Sequence, residues 1–317
     1  MQELIIVTPV YNDWQSLQLL TDEIAGIARA HDLKIHLIAV DDGSALPSDL
    51  QAGKWTKRLD LQIVRLTRNL GHQRAIAVGL AFASEMNKHA PVIVMDCDGE
   101  DQPADIPRLL DAYRNDGSKI IFARRERRSE NMLFRAFYFF FKMLFHVLTG
   151  RRISFGNYSL LPPESLKRIV HLQEIWNHFP AGVMHSSLQW MTIPTSRGKR
   201  YAGTSRMNFV NLVLHGLSAV SVYVEVVYVR LIFMSLVVMG LDVIGFLALV
   251  YIRFFTPLAI PGWATSVAVG LTVIMIQAML FLGLLSFIIL SYRSVKMFIP
   301  AVDYKDYLLS VERVRKR

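Results

Sequence analysis

The chain has 317 residues and a formal net charge of +9; 52% of its residues are hydrophobic and its mean hydropathy is +0.32, both high for a soluble enzyme. That length holds one domain of ordinary size and something more. The single Cys97 excludes an internal disulfide framework and fits a reducing compartment, and attraction to anionic lipid accounts for the positive charge with no nucleic-acid partner.

The chain opens almost at once on a strand pattern, "LIIVTP" (Leu4–Pro9), so no signal peptide is expected. A helix over Trp14–Ala30 follows, then the strands "KIHLIAVDD" (Lys34–Asp42) and "LQIVRLT" (Leu61–Thr67) and a helix over His72–Asn87. Next come the strand "APVIVMD" (Ala90–Asp96), a helix over Ile106–Asn115 and the strand "SKIIFAR" (Ser118–Arg124). Short β-branched strands alternating with helices predict an α/β domain with a mostly parallel sheet covered on both faces. Such sheets bind ligands beyond the carboxyl ends of their strands, which places Thr8, Asp41, Asp42, Asp96 and Asp98 at the expected site. Neither a Gly-rich dinucleotide fingerprint nor a P-loop is present.

The sharpest feature is "VMDCDGEDQP", in which Asp96 and Asp98 directly follow an apolar strand. Residues i and i+2 of a turn can offer oxygens to one cation, and Mg²⁺ or Mn²⁺ accepts one or two carboxylates together with phosphate oxygens. A divalent ion there would relieve the mutual repulsion of the acids and create a receptor for diphosphate. A surface salt-bridge patch is the plainer reading. Glu100 and Asp101 are read either as part of the site or as solvent-facing turn residues before Pro103. In "PVYND" and "VDDGS" the side chain of Asp41 can accept hydrogen bonds from a base or ribose, while Asp13 suits the cap of the following helix. His171, His178 and His185, spaced by seven, make no convincing metal set.

Two segments carry polar stripes on apolar bodies. "NMLFRAFYFFFKMLFHVLTG" (Asn131–Gly150) places Asn131, Arg135, Tyr138, Lys142 and His146 along one helical face, and the helix over 131–149 reads as interfacial. Residues 207–228, with Asn208, Asn211, His215, Ser218, Ser221 and Glu225, repeat the pattern as an amphipathic juxtamembrane helix. Packing against the soluble core or a second subunit competes with the interfacial reading for both. Arg151 and Arg152 would meet anionic headgroups. Residues 229–252 and 263–291 are long and apolar enough to cross a bilayer as a hairpin, with helices buried in a soluble core as the alternative. Asp242 interrupts the first span, and an acid at that depth is either functional or structural. Residues 292–317 read as a basic tail on the same side as the N-terminal region, which the positive-inside bias makes cytoplasmic.

Taken in order, "TPVYND", "VDDGS", "RNLGHQRAIAVGL" and "VMDCDGEDQP" resemble the family 2 GT-A glycosyltransferases, in the branch of dolichyl-phosphate mannose synthase and the bacterial polyprenyl-phosphate glycosyltransferases. The two-span ending is similar to the bactoprenol glucosyltransferase type. The resemblance implies a Rossmann-like GT-A catalytic domain over residues 1–206 and inverting transfer of a sugar, glucose from UDP-glucose as the first choice, to undecaprenyl phosphate. It implies that Pro9, Tyr11, Asp13, Asp41 and Arg68 frame the nucleotide, with Asp96 near sugar and ribose and Asp98 as the principal ligand of Mg²⁺ or Mn²⁺. Arg200, Ser205 and Arg206 of "RYAGTSRM" would hold phosphate, and Arg135, Lys142, Arg151, Arg152 and His215 would face lipid. A homotetramer in the inner membrane and a separate flippase complete the expectation. Where relatives carry an acid in a Gly-Asp-Phe-like motif, this chain has "FGNYSL", with Asn157 in that place. Asn157 cannot act as a base, so a positioning role is expected. A GDP-mannose-dependent transferase, a non-catalytic membrane scaffold and a processive synthase are the rivals; the last lacks its usual extra spans and Q-x-x-R-W motif here.

Overall fold

In a computed structural model, the described residues are 2–46, 50, 58–86, 89–125, 142–152, 155–202, 209–258, 260, 262–295 and 297–314. Arg135, Ser205 and Arg206, and most of the expected 131–149 helix, lie outside them. The chain forms two compact units, one of residues 1–142, 152–222 and 297–317, the other of 143–151 and 223–296.

Among the described residues, the first unit contains an eight-stranded sheet. Its strands are β1 (Gln2–Val10), β2 (Leu33–Asp41), β3 (Leu59–Leu66), β4 (Val92–Val94), β5 (Ile120–Arg125), β6 (Ser159–Leu161), β7 (Trp190–Thr195) and β8 (Leu308–Val314), in the order β7-β5-β6-β4-β1-β2-β3-β8. β1 runs parallel to β2 and β4, and β2 parallel to β3, as the alternating pattern predicts. β6 is antiparallel between β4 and β5, and β8 is antiparallel to β3. Side-chain alternation divides β1 between two cores. Leu4 and Ile6 pack with Leu17, Leu20 and Ile24 of α1 (Trp14–Ala30) and Leu109 of α3 (Ile106–Asn115). Ile5 and Val7 pack on the other face with Ala75, Val78 and Leu80 of α2 (His72–Glu85). Gly79 lets α2 lie close, because a Cβ there would collide with Val7 and Val40.

The first unit corrects one boundary. Residues 292–317 are not simply a basic tail: Pro300–Asp303 form a short helix, Tyr304 is 2% exposed in the core against α2, and β8 closes the sheet edge. Within β8, Glu312 and Arg313 form cross-strand pairs, with Arg65 at 3.1 Å and Asp60 at 2.6 Å respectively.

In the second unit, α8 (Val224–Phe255) and α9 (Trp263–Arg293) are long and apolar enough to cross a membrane. Only 11% and 6% of their most apolar windows are buried, which overturns the alternative of helices in a soluble core. They pack as a hairpin, with Gly245 of α8 facing Leu271 of α9. α8 starts at Val224, five residues before the expected span, because Glu225 in its first turn suits the positive end of the helix dipole. The helix expected over 207–228 is therefore divided, and α7 (Phe209–Ser221) belongs to the first unit. Residues 142–149 form the helix α4, on which Met143, Leu144 and Val147 are exposed, while Phe145 packs edge-on against Tyr223. Arg230 donates to the carbonyls of His146 and Val147, tying the end of α4 to α8.

Candidate functional site

The parallel register brings Val10, Asp41 and the turn after β4 to one sheet edge, since Val10 pairs with Asp41 and Val7 with Val94. Asn12 knits the first two loops together, accepting from the N–H groups of Ala45 and Leu46 while its own N–H donates to Ser44 Oγ. Asp13 caps α1 through the N–H of Ser16 at 3.3 Å. Asp41, 2% exposed, accepts from the N–H of Ser44 and from Arg65. Asp42 takes a structural role, accepting the N–H groups of Leu70 and Gly71 at 2.7 and 3.0 Å and anchoring the "RNLGH" loop. Gly43 is obligatory beside it: its φ is +71°, and a Cβ would meet the backbone of Arg68 and Asn69 at 2.6 Å. Arg68 and Tyr11 are exposed, and Pro9 is buried at the end of β1.

The acidic turn is largely an ion-pair network. Arg125 reaches Glu100 at 3.4 Å and Asp101 at 3.0 Å, Arg197 reaches Glu100 at 2.7 Å, and Arg200 pairs with Asp98. Asp101 is buried rather than solvent-facing, because its carboxylate also accepts the N–H of Asp96 and so closes the turn. The segment before the expected phosphate loop docks on this turn, with the N–H of Gly198 donating to Glu100 O and that of Tyr201 to Asp98 O. Arg200 is thus held at the acidic loop, where it and a cation would compete for Asp98.

Asp96 differs from its neighbours. His72 Nε2 stands 3.1 Å from Asp96 Oδ1, within ion-pair range, yet Oδ1 is a buried oxygen with no hydrogen bond from the described residues. Burial opposes ionisation of Asp96, but His72 and Arg125 outweigh it and hold the carboxyl below its ordinary range. Burial and the adjacent Asp96 push Asp98 and Asp101 up. Such crowding is the electrostatic setting that a cation relieves. Among the described residues no group of three or more His, Cys, Asp or Glu converges as a metal site. The donor set therefore fits a hard divalent ion only as two carboxylates, Asp96 and Asp98, completed by substrate phosphate.

Asn157, which follows β5 and precedes β6, lies beside His72, the neighbour of this acid. Its Oδ1 accepts from Gln73 Nε2 at 3.0 Å, and its Nδ2 lies 3.0 Å from His72 Nε2. The site thus includes His72 and Gln73 at the start of α2, which the sequence reading quoted within a motif but did not assign. His215 of α7, expected to face lipid, instead has its Nε2 3.3 Å from Nε2 of His178. His178 caps α6 (Phe179–His185) by accepting the N–H of Ala181. Burial and then the neighbouring His215 hold His178 down to about 3, and burial lowers His215 as well, so the pair is neutral. Lys142, Arg151 and Arg152 are all exposed.

The chain is 30% identical over 135 residues to dodecaprenyl-phosphate galacturonate synthase of Rhizobium johnstonii, covering 42% of this chain and 39% of that one. It is 25% identical over 219 residues to undecaprenyl-phosphate 4-deoxy-4-formamido-L-arabinose transferase of Photorhabdus laumondii, covering 67% and 65%. The chain thus spans less than two thirds of the length of both relatives. Among solved structures, mannosyl-3-phosphoglycerate synthase from Rubrobacter xylanophilus aligns with a TM-score of 0.49 at 15% identity, over 70% of this chain and 72% of that one. The pattern of the family "Glycosyl transferase family 2" matches residues 5–169, from β1 to the end of α5 (Pro163–Ile169) and more than half of the sequence. The chain belongs to glycosyl transferase family 2.

Proposed function

We propose that this chain transfers a sugar from a nucleoside-diphosphate sugar to a polyprenyl phosphate. The observation that carries this reading is the union, in one chain, of a family 2 sheet edge bearing Asp96 and Asp98 with two helices of membrane-spanning length and apolarity. Two relatives named for dodecaprenyl- and undecaprenyl-phosphate products support a long-chain lipid acceptor. Within that class the reading is glucose from UDP-glucose to undecaprenyl phosphate, at the cytoplasmic face of the inner membrane. A homo-oligomer, with export of the product left to a separate flippase, extends the same reading.

The chemistry needs no base on the protein. A phosphate monoester has a second pKa of about 6 and is largely dianionic at neutral pH, so the nucleophile arrives ionised. One of its oxygens attacks the anomeric carbon from the face opposite the diphosphate. The new C–O bond forms as the bond to the diphosphate breaks, and the electron pair leaves with the nucleoside diphosphate, inverting the anomeric centre. Asp41 and Tyr11 frame the base and ribose, and Asp96 accepts a hydroxyl of ribose or sugar. Arg200, with its planar donors, orients phosphate oxygens. A divalent cation bound by Asp98 and Asp96 would supply charge neutralisation to the leaving diphosphate.

Purified protein in detergent would be offered undecaprenyl phosphate with labelled UDP-glucose, UDP-galactose, UDP-N-acetylglucosamine, UDP-galacturonate or GDP-mannose, in Mg²⁺ or Mn²⁺. A mild-acid-labile labelled lipid from UDP-glucose is the expected product. Asp98→Asn should lower its rate by about 10² or more, the scale for loss of one charge-stabilising group, and chelation should abolish it. Product from GDP-mannose alone would move the reading to a mannosyltransferase. Absence of product from every donor would move it to a membrane-bound scaffold.

A further inference from the structure

The parallel register of β2 and β3 sets Asp41 beside Arg65, and the antiparallel register of β3 and β8 sets Glu312 opposite Ile63, two residues from Arg65 on the same face of the sheet. Three neighbouring strands thus carry an acid, a base and an acid. Arg65 holds both acids at once. Its Nε and Nη2 donate to the two carboxylate oxygens of Glu312 at 3.1 and 3.4 Å, and its Nη1 donates to Asp41 Oδ2 at 3.4 Å. The guanidinium carbon lies 5.8 Å from the centre of the Trp14 ring, within the range of a cation–π contact. A guanidinium is planar and its donors are fixed relative to one another. The carboxylate that grips the Nε–Nη2 edge therefore decides where Nη1 points.

Asp41 has little freedom to correct a poor angle. It is 2% exposed, its Oδ1 accepts the N–H of Ser44 at 2.9 Å, and Arg65 takes Oδ2. Each oxygen keeps a second lone pair for a ligand, but its direction is set by those two donors. One of the donors is in turn gripped from β8, the strand that the chain forms only after α8 and α9.

We propose that Arg65 and Glu312 are positioning residues for the nucleotide of the sugar donor: Glu312 aims Arg65, and Arg65 fixes the Asp41 carboxylate at the angle that receives base or ribose. The inference rests on the reading of Asp41 as a nucleotide contact. Because both residues act through Asp41 and not on the reacting atoms, their loss weakens donor binding and leaves the chemical step intact. Glu312→Gln keeps the size of the side chain but removes its charge and turns an N–H donor towards the guanidinium. Arg65→Gln removes the cation from beside a buried carboxylate. Arg313→Gln is the control. Arg313 is the next residue of β8 and is likewise exposed, and its pair with Asp60 at 2.6 Å ties the same strand to β3 on the opposite face of the sheet.

Full-length protein in detergent is titrated calorimetrically with UDP and with GDP in Mg²⁺, and the nucleotide that the wild type binds more tightly is used for the variants. Arg65→Gln should weaken binding about tenfold or more, the scale for a hydrogen bond to a charged group. Glu312→Gln should weaken it about three- to fivefold, the upper end for an exposed ion pair. In the Arg65→Gln background Glu312→Gln should add nothing, since its path to Asp41 is already cut. Arg313→Gln should bind as the wild type does. In transfer assays the donor KM should rise by the same factors, with kcat and the acceptor KM unchanged. If Arg65→Gln does not fold, the comparison of Glu312→Gln with Arg313→Gln still decides. Wild-type affinity in Glu312→Gln, an equal loss in Arg313→Gln, or a full further loss in the double variant overturns the inference while the nucleotide reading stands. A wild-type protein that binds neither nucleotide fails the reading of Asp41 and takes the inference with it.

Discussion

At the level of single residues, the first turn of α6 does more than start a helix. Two of its orphan N–H groups, those of Phe179 and Ala181, orient Gln73 and His178 respectively. Since His178 Nδ1 accepts from Ala181, its proton is on Nε2 and points to His215. A neutral His178 has a consequence for stability. Its pKa is held at about 3 in the fold by burial and the adjacent His215, against 6.5 in an unfolded chain. Between those values the unfolded state binds a proton that the folded state refuses, so stability is complete above pH 6.5 and is lost as pH falls towards 3. The loss is about 1.4 kcal/mol per pH unit, or about 2 kcal/mol at pH 5. Thermal unfolding of wild-type protein and His178→Gln from pH 7.5 to 5 should show the wild type losing more stability by that amount. Parallel curves would mean that His178 takes up a proton in the folded state.

The elements divide into those whose pattern is local and those whose partner is distant. α1 and α3 occupy the predicted residues because their apolar spacing and the Asp13 cap lie within the segment itself. β6 has three residues and β8 returns to the sheet only after the apolar hairpin, so no window of sequence contains the strand that either one pairs with. The site follows the same division. Asp96 and Asp98 were legible as a D-x-D turn after a strand, whereas Gln73 meets Asn157 across 84 positions and Phe179 across 106. Glutamine and asparagine in helix and loop carry no pattern that reports such a meeting. The distant return of the last segment makes its own prediction. Tyr304→Ala should destabilise the first unit by about 3 kcal/mol or more, as truncation of a buried aromatic does, although the residue follows both apolar helices. Val302→Ala, at a position 64% exposed, should stay within about 0.5 kcal/mol. Unfolding midpoints of the two variants in the same detergent measure the difference. Equal midpoints would mean that the last segment is only lightly attached.

On the scale of the whole molecule, the chain leaves the first unit at Val222, makes α8 and α9, and re-enters it at Met297 to complete the sheet. Removing the hairpin by truncation would therefore also remove Tyr304 and β8 and confuse anchoring with folding. The informative change joins Val222 to Met297 through a flexible Gly/Ser linker, which keeps every strand. Because the first unit contains both cores and the acidic turn with its arginines, this protein should fold and keep wild-type affinity for the nucleotide. What it should lose is the advantage of sharing a surface with its acceptor. Confinement of two partners raises their effective concentration, with gains on the order of 10²-fold or more. Transfer to undecaprenyl phosphate in vesicles should fall by that factor, while transfer to a short, water-soluble prenyl phosphate should change little, because the groups proposed to act on the substrates all belong to the first unit. Equal losses with both acceptors would instead assign α8 and α9 a part in the reaction site, and no loss with either would separate the hairpin from acceptor delivery.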